Sequence, residues 1–241
     1  LMNQQISKIN VSNDEKIIKS NDIEFKTDLI FDSRPNVIEK EKKQLYQHFV
    51  GFEVLFEKRA IDNNQITLMD FQSFSGGINF FYILPFSSRR ALIETTYFST
   101  EIYSFKKYKS DIINYLNKNF NGINYKLISQ EKGIIPMFYE NNFKENKLIK
   151  IGLSGNWIRA STGYGFQSSF SNSKEIVDRM ISKKKKNIEI PKKTFFLFFI
   201  FCNFIAKYPG DSRSFFYSFF YKNKLKDIVN FLTGKASLFQ I

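Results

Sequence analysis

The residue whose type and setting best suit acid–base chemistry is Glu94. It lies in Ala91–Ser99 (ALIETTYFS), a run with strand character. In a strand, Leu92, Glu94, Thr96 and Phe98 share one face, so Glu94 is an acid set among apolar and neutral neighbours. A carboxyl inside an apolar cavity keeps its proton, because desolvation disfavours the anion, and a general acid near neutral pH needs that. The same pattern also fits an edge-strand Glu facing water, or one paired with Arg89 or Arg90. A second constellation is Ile151–Gly165 (IGLSGNWIRASTGYG), a strand entering a Gly155-Asn156 turn and then Ser161-Thr162-Gly163-Tyr164-Gly165 before a helix. Backbone N–H groups at a helix start attract anions, and Gly lets a ligand approach the backbone closely. Such a turn can hold phosphate, ribityl hydroxyls or a flavin edge; the alternative is an ordinary strand–helix turn. No G-x-G-x-x-G occurs in the chain, so a self-contained dinucleotide site is unsupported. Two smaller candidates are Asp70 in Leu68–Phe71 (LMDF) and Asp32 in Asp32-Ser33-Arg34. Either also reads as structural, Asp70 as a strand-end polar group and Asp32 as a turn former.

Other chemistries are excluded by count. The 241 residues hold one Cys and one His. That removes an intrachain disulfide framework, a Cys-based zinc cluster and a multi-His metal site, so no metal is expected. A hydrolase triad would have to use His48 as its base. The formal charge is +13, and it is local: residues 183–241 carry 12 Lys/Arg against 3 Asp/Glu, together with 12 of the 29 Phe. This end opens on Lys183–Lys186 and continues through Thr194–Ala206 (TFFLFFIFCNFIA). The apolar run is too short to cross a bilayer, which takes about 20 residues. It reads as a core helix beside a solvated charge run, or as an interfacial helix on an anionic membrane surface, where each basic residue contributes about 1 kcal/mol. Nucleic acid is not the expected partner, since the aromatics form continuous apolar blocks and no nucleic-acid-binding motif occurs. Leu1–Asn10 lacks the charged start and apolar run of a signal peptide.

The elements that position these residues alternate in type. Ile23–Asp32 reads as a strand ending at Ser33-Arg34-Pro35, and Glu39–Gln44 as a charged connector. Gln47–Glu57, Gln65–Phe71, Ile78–Phe86 and Ala91–Ser99 follow, joined by short turns, as an antiparallel meander. Ile78–Leu84 is apolar on both faces and should be buried on both. Ser110–Phe120 reads as a helix capped by Ser110, Asn124–Met137 as a strand, and Leu148–Leu153 as a short buried strand. A helix to about Arg179 is expected next, then helices over 211–222 and 224–233 with Gly234 as the C-cap. The layout is α/β.

Seven segments in order then resemble one family. They are Asp32–Pro35 (DSRP), Gln47–Gly51 (QHFVG), Leu68–Phe71, Phe81–Ser87 (FYILPFS), Arg90–Tyr97 (RALIETTY), Glu131–Met137 (EKGIIPM) and Ser161–Tyr164 (STGY), with Asp227–Gly234 (DIVNFLTG) fitting as well. The set is similar to the bacterial, FAD-binding lycopene cyclases, from about residue 20 onward. The resemblance implies an α/β fold of hydroxybenzoate-hydroxylase type: a Rossmann-type FAD-binding domain, an antiparallel β substrate platform and a helical C-terminal part. Residues 1–40 and 148–182 would belong to the FAD domain, 41–147 to the platform, and 183–241 to a basic, Phe-rich, membrane-facing part. It implies lycopene β-cyclase activity, an acid-catalysed isomerisation that closes the linear ends of lycopene into β-ionone rings with no net redox change. Reduced FAD would stabilise the cation, with NAD(P)H as reductant, in a cytoplasmic, peripherally membrane-associated protein. Glu94 matches the first acid of the family's Glu-acid-Thr motif and would protonate the polyene; Thr95 stands at the second acid. Rings such as Phe81 and Tyr82 would hold the cation. Asp70 would orient or act electrostatically, and Gln72 stands where some members carry Arg. Asp32, Arg34, Gly155, Asn156, Thr162, Gly163 and Tyr164 would line the flavin. The family's opening strand, G-x-G-x-x-G turn and helix have no counterpart here, so the chain reads as an internal fragment that does not hold FAD tightly alone. Two other readings share the architecture: a redox flavoprotein (a monooxygenase or saturase) consuming NAD(P)H stoichiometrically, and a non-catalytic carotenoid- or lipid-binding fragment.

Overall fold

In the computed structural model the described residues are 4–11, 16–20, 23–34, 44–138, 148–160, 162–182 and 192–233. In chain order the strands are β1 (Lys8–Val11), β2 (Lys16–Ser20), β3 (Ile23–Lys26), β4 (Phe31–Asp32), β5 (Tyr46–Phe56), β6 (Thr67–Gln72), β7 (Ile78–Ser87), β8 (Arg90–Ser99), β9 (Tyr125–Pro136) and β10 (Ile149–Lys150). The helices are α1 (Phe105–Asn119), α2 (Phe166–Ser182), α3 (Lys192–Lys207), α4 (Pro209–Lys222) and α5 (Leu225–Thr233). The fold is α/β, with an antiparallel sheet as its largest part. The chain divides into two units: Leu1–Glu39, Tyr139–Arg159 and Gly165–Ile188 in the first, Lys40–Phe138, Ala160–Tyr164 and Glu189–Ile241 in the second.

The second unit is built on a five-stranded antiparallel sheet of order β6-β7-β8-β5-β9. Strand alternation sends successive side chains to opposite faces, and each face has its own core. On one, Val50, Phe52, Phe81, Ile93 and Tyr97 pack against Tyr108, Ile112, Tyr115 and Leu116 of α1. On the other, Ile78, Phe80 and Phe98 pack with Cys202 and Ile205 of α3 and Phe216 of α4. Two-sided burial of β7 therefore holds for Ile78–Phe81; beyond Phe81 the strand is half-buried and Phe86 is exposed. Thr194–Ala206 falls within α3, which buries Cys202 and Ile205 and exposes Phe196, Phe199 and Ile200.

The first unit holds a three-stranded antiparallel sheet β1-β2-β3, a parallel pair of β4 with β10, and α2. Several expectations are corrected. Ile23–Asp32 is two strands, not one, because Thr27 Oγ1 bonds the backbone of Leu29 and turns the chain between them. The β1–β2 hairpin has no clear strand pattern in the sequence, since its short runs hold Lys and Asn among the apolar residues. Helix α1 begins five residues before Ser110, which is interior; Ser104 is the N-cap and makes no side-chain cap bond. Lys183–Lys186, Gly234, Pro35, Ser161 and all but the last residue of the Glu39–Gln44 connector lie outside the described residues.

Candidate active site

Glu94 sits on β8, the middle strand of the five, so it is not at an edge. Only 9% of it is exposed. Neither neighbouring arginine pairs with it: Arg89 donates to the Phe56 carbonyl, and Arg90 pairs with Glu53. Across the sheet its row runs Tyr82 (β7), Glu94 (β8), Gly51 (β5), Glu131 (β9). Thr96 Oγ1 donates to Glu94 Oε1 at 2.6 Å. Burial pushes the Glu94 carboxyl up to about 7; the Thr96 bond opposes this, and the charge and hydrogen-bonding contact of Glu131 add to it. Burial, and then the Glu94 charge, raises the Tyr82 phenol, which stays neutral. Glu94 is thus a carboxyl that keeps its proton near neutrality, on a half-open face with Tyr82, Leu84, Leu92 and Phe49 beside it.

Glu131 and Gly51 were not singled out from sequence. A Cβ on Gly51 would meet Glu131 Cγ at 3.0 Å and Leu92 Cδ1 at 2.9 Å, so the Glu131 side chain lies over the bare glycine. A Gly inside a strand marks close approach of another group, and that was the signal available in Gln47–Glu57.

Asp70 is not brought to Glu94. It pairs in register with Phe81, and Tyr115 Oη of α1 donates to Asp70 Oδ2 at 2.7 Å. Phe81 stacks on Tyr115 at 3.9 Å between ring centroids. Both Asp70 and Phe81 therefore occupy the α1 face, with Glu94 and Tyr82 on the opposite one; Phe81 is removed from the rings that could hold a cation beside Glu94. His48 is also on the α1 face, wholly buried between Ser99 Oγ (2.8 Å from Nε2) and Tyr108 Oη (2.6 Å from Nδ1). Ser99 Oγ donates to the Glu101 carbonyl, so it accepts from Nε2–H, and Nδ1 accepts from Tyr108. Burial lowers His48 to about 4. It is a neutral packing residue. Burial likewise pushes the Cys202 thiol up to about 12, so no thiolate nucleophile is available there.

In the first unit, β4 and β10 bring Asp32, Arg34 and the Gly155–Asn156 turn together. The Arg34 guanidinium grips Asp32 with two bonds of 2.9 and 3.1 Å, and Lys150 Nζ lies 2.9 Å from Oδ2. Arg34 first, with help from Lys150, holds the Asp32 carboxyl far below the usual range against its burial. Ser154 Oγ donates to the Asp32 carbonyl at 2.8 Å. A Cβ on Gly155 would stand 2.6 Å from the Lys150 carbonyl, so only Gly fits that turn; Asn156 adopts φ 57°. With its carboxylate engaged by two cations, Asp32 acts as a local clamp.

In the second unit, Thr162 Oγ1 accepts from the Tyr164 N–H at 3.3 Å, and Gly163 has φ 68°. A Cβ there would collide with the Gln47 amide, 2.2 Å from Oε1. Gln47 is 7% exposed, and its Oε1 has no hydrogen-bond partner among the described residues. A backbone cradle beside an orphaned buried acceptor fits a polar, planar ligand edge with N–H donors, as a flavin ring has. Among the described residues, no group of three or more His, Cys, Asp or Glu could hold a metal.

The family model described as "Lycopene cyclase protein" matches residues 1–239. Comparison with curated proteins returns no match. Among solved structures, a geranylgeranyl bacteriochlorophyll reductase-like protein from Thermoplasma acidophilum aligns at TM-score 0.55 and 9% identity, over 75% of this chain and 49% of that one. A flavin-dependent brominase triple mutant aligns at TM-score 0.55 and 10% identity, over 95% of this chain and 64% of that one. The chain thus spans about half to two thirds of the length of these two structures, and at such identity the likeness is one of fold.

Proposed function

We propose that this chain, which belongs to the lycopene cyclase family, carries the acid–base centre of a lycopene β-cyclase. The observation that supports this reading is the buried, proton-retaining Glu94 on the central strand of an apolar platform. The substrate is a linear carotenoid end lying on the Glu94 face. Glu94 gives its proton to the terminal double bond; the ring C–C bond closes; a ring proton leaves to a carboxylate. Atoms and charge balance, and nothing is oxidised. Thr96 orients the carboxyl by its bond to Oε1. Tyr82, directly opposite Glu94, offers a neutral ring to the cation, worth about 0.5–2 kcal/mol.

The fold family implies FAD. Thr162, Gly163 and Tyr164, with Gln47 Oε1, are suited to holding the edge of its ring; in the first unit the family resemblance offers Asp32, Arg34, Gly155 and Asn156, where Arg34 and Lys150 hold the Asp32 carboxylate and Gly155 shapes the turn. When bound and reduced by NAD(P)H, the flavin would supply electron density to the cation. Asp70 has a positioning role at most, fixing α1 through Tyr115. We further propose peripheral attachment at an anionic membrane surface on the cytoplasmic side. No helix among the described residues is long and apolar enough to cross a membrane. Phe196 and Phe199 of α3 are 60% and 59% exposed, and such rings beside lysines suit an interfacial position.

Acid–base catalysis contributes about 10²–10⁴-fold, so Glu94→Gln should lower the cyclisation rate by about that factor with the fold kept. Full activity in this variant would remove Glu94 from the chemistry.

A further inference from the structure

The family motif places a second acid next to the first, and here that position is Thr95. Thr95 is fully buried and points away from Glu94, its Oγ1 taken by Asn79 Nδ2 at 3.0 Å. A carboxylate does stand beside Glu94, but it arrives from another strand. Glu94 and Glu131 are both in register with Gly51, one from each side. Neighbouring strands lie about 4.8 Å apart, so two residues separated by a strand meet only if the residue between them is small. Gly51 is that residue, and Glu131 Oε1 lies 3.1 Å from where its Cβ would be. Glu131 is exposed on the edge strand β9, whereas Glu94 is buried.

We propose that Glu131 is the proton-sharing partner of Glu94, a positioning residue that takes up the acid's hydrogen bond and connects it to solvent across Gly51. The proposal rests on the reading of Glu94 as the acid. Between turnovers the pair holds one proton, on Glu94, donated toward the Glu131 carboxylate. After Glu94 protonates the polyene, both carboxylates are charged. The proton lost from the ring carbon returns to either one, and the shared hydrogen bond restores it to Glu94. The other charged or titratable groups on this face are Tyr82 of β7, Arg90 of β8, Glu53 of β5 and Lys126 of β9, the last in register with Leu55. Glu53 is tied to Arg90 and to Ser129, with Ser129 Oγ donating at 2.8 Å. Of the helices packed there, α3 brings the neutral Cys202 thiol, and α4 brings exposed Asp211 and Arg213 near its start.

The test compares Glu131→Gln, Glu131→Asp and Glu94→Gln in the flavin-loaded enzyme, with lycopene in phosphatidylglycerol–phosphatidylcholine vesicles. Glu131→Gln should lower kcat about tenfold. Removing the neighbouring charge should also move the alkaline limb of kcat/KM to lower pH, because Glu94 then loses its proton more easily. Glu131→Asp should leave that limb closer to wild type. Infrared titration of the Glu94 carboxyl, which needs no turnover, should show the same downward movement in Glu131→Gln. An unmoved limb, an unmoved titration and wild-type kcat in Glu131→Gln, beside an inactive Glu94→Gln, would overturn the proposal alone. A fully active Glu94→Gln would instead overturn the reading beneath it.

Discussion

Glu94 shows how a single carboxyl can be tuned by position. Its folded pKa lies above the unfolded value, so its contribution to stability is complete below about pH 4.5 and is lost as pH rises through about 7. Glu94→Gln removes that loss. The variant should gain stability relative to wild type on going from pH 4.5 to pH 8, by on the order of 3 kcal/mol; denaturant melts at the two pH values measure it, and an equal difference at both would contradict the buried-acid account. His48 has the opposite sign. Its folded pKa is lowered, so stability is full above about pH 6.5 and falls as pH drops toward 4. Because the two groups act in overlapping windows, the variant comparison is more informative than the wild-type profile. At this scale Glu94 was legible in the sequence, since an acid at a period-two apolar position is visible. Glu131 was not, because its meaning depends on a register between three strands that no local pattern encodes.

The five-stranded sheet was legible because its strands are long, rich in aromatic and β-branched residues, and cut by Asn, Gly and Ser turns. The shortest elements were legible only as parts of longer runs: β4 and β10 are two residues each, inside Ile23–Asp32 and Leu148–Leu153, and exist by pairing with one another. The start of α1 was placed late because Ser110 resembled a cap, yet the tertiary core recruits Tyr108 on its upstream turn. Faces were also beyond pattern reading in one place. The irregular pairing between Thr67 and Asp70, with Met69 at φ 61°, sets which way Asp70 points. The turn at Gly163 gives a prediction for this scale. A side chain there meets both a left-handed backbone and the buried Gln47 amide, so Gly163→Ala should destabilise the protein by about 1–3 kcal/mol and weaken the binding of added FAD. Unchanged unfolding midpoint and unchanged flavin fluorescence would show that the close approach at Gly163 has no energetic meaning.

For the whole molecule, the excess charge and the exposed aromatics concentrate toward one end of the chain. Residues 183–241 carry a net +9 of the total +13, while Phe196, Phe199, Ile200, Tyr217 and Tyr221 are exposed in α3 and α4. Vesicle flotation should therefore show binding that needs anionic lipid and falls as salt rises from about 0.1 to 1 M, where screening shortens from about 10 to 3 Å. Replacing Phe196 and Phe199 with Ser should weaken it, and binding indifferent to salt and lipid charge would return this segment to a purely structural role. Composition gave the charge asymmetry and the ordered motifs gave the family, but only the three-dimensional register separates the Glu94 face from the Asp70 face. The central claim, that this site isomerises a polyene by proton transfer without oxidising or reducing it, is tested most directly by product analysis in D₂O. Lycopene, enzyme, FAD and NADPH are incubated, pigments are separated, and masses are read alongside NADPH consumption. The account predicts a cyclic isomer carrying one solvent-derived deuterium per ring, with no stoichiometric NADPH loss. A product gaining oxygen or two hydrogens, formed one for one with NADPH oxidation, would contradict it.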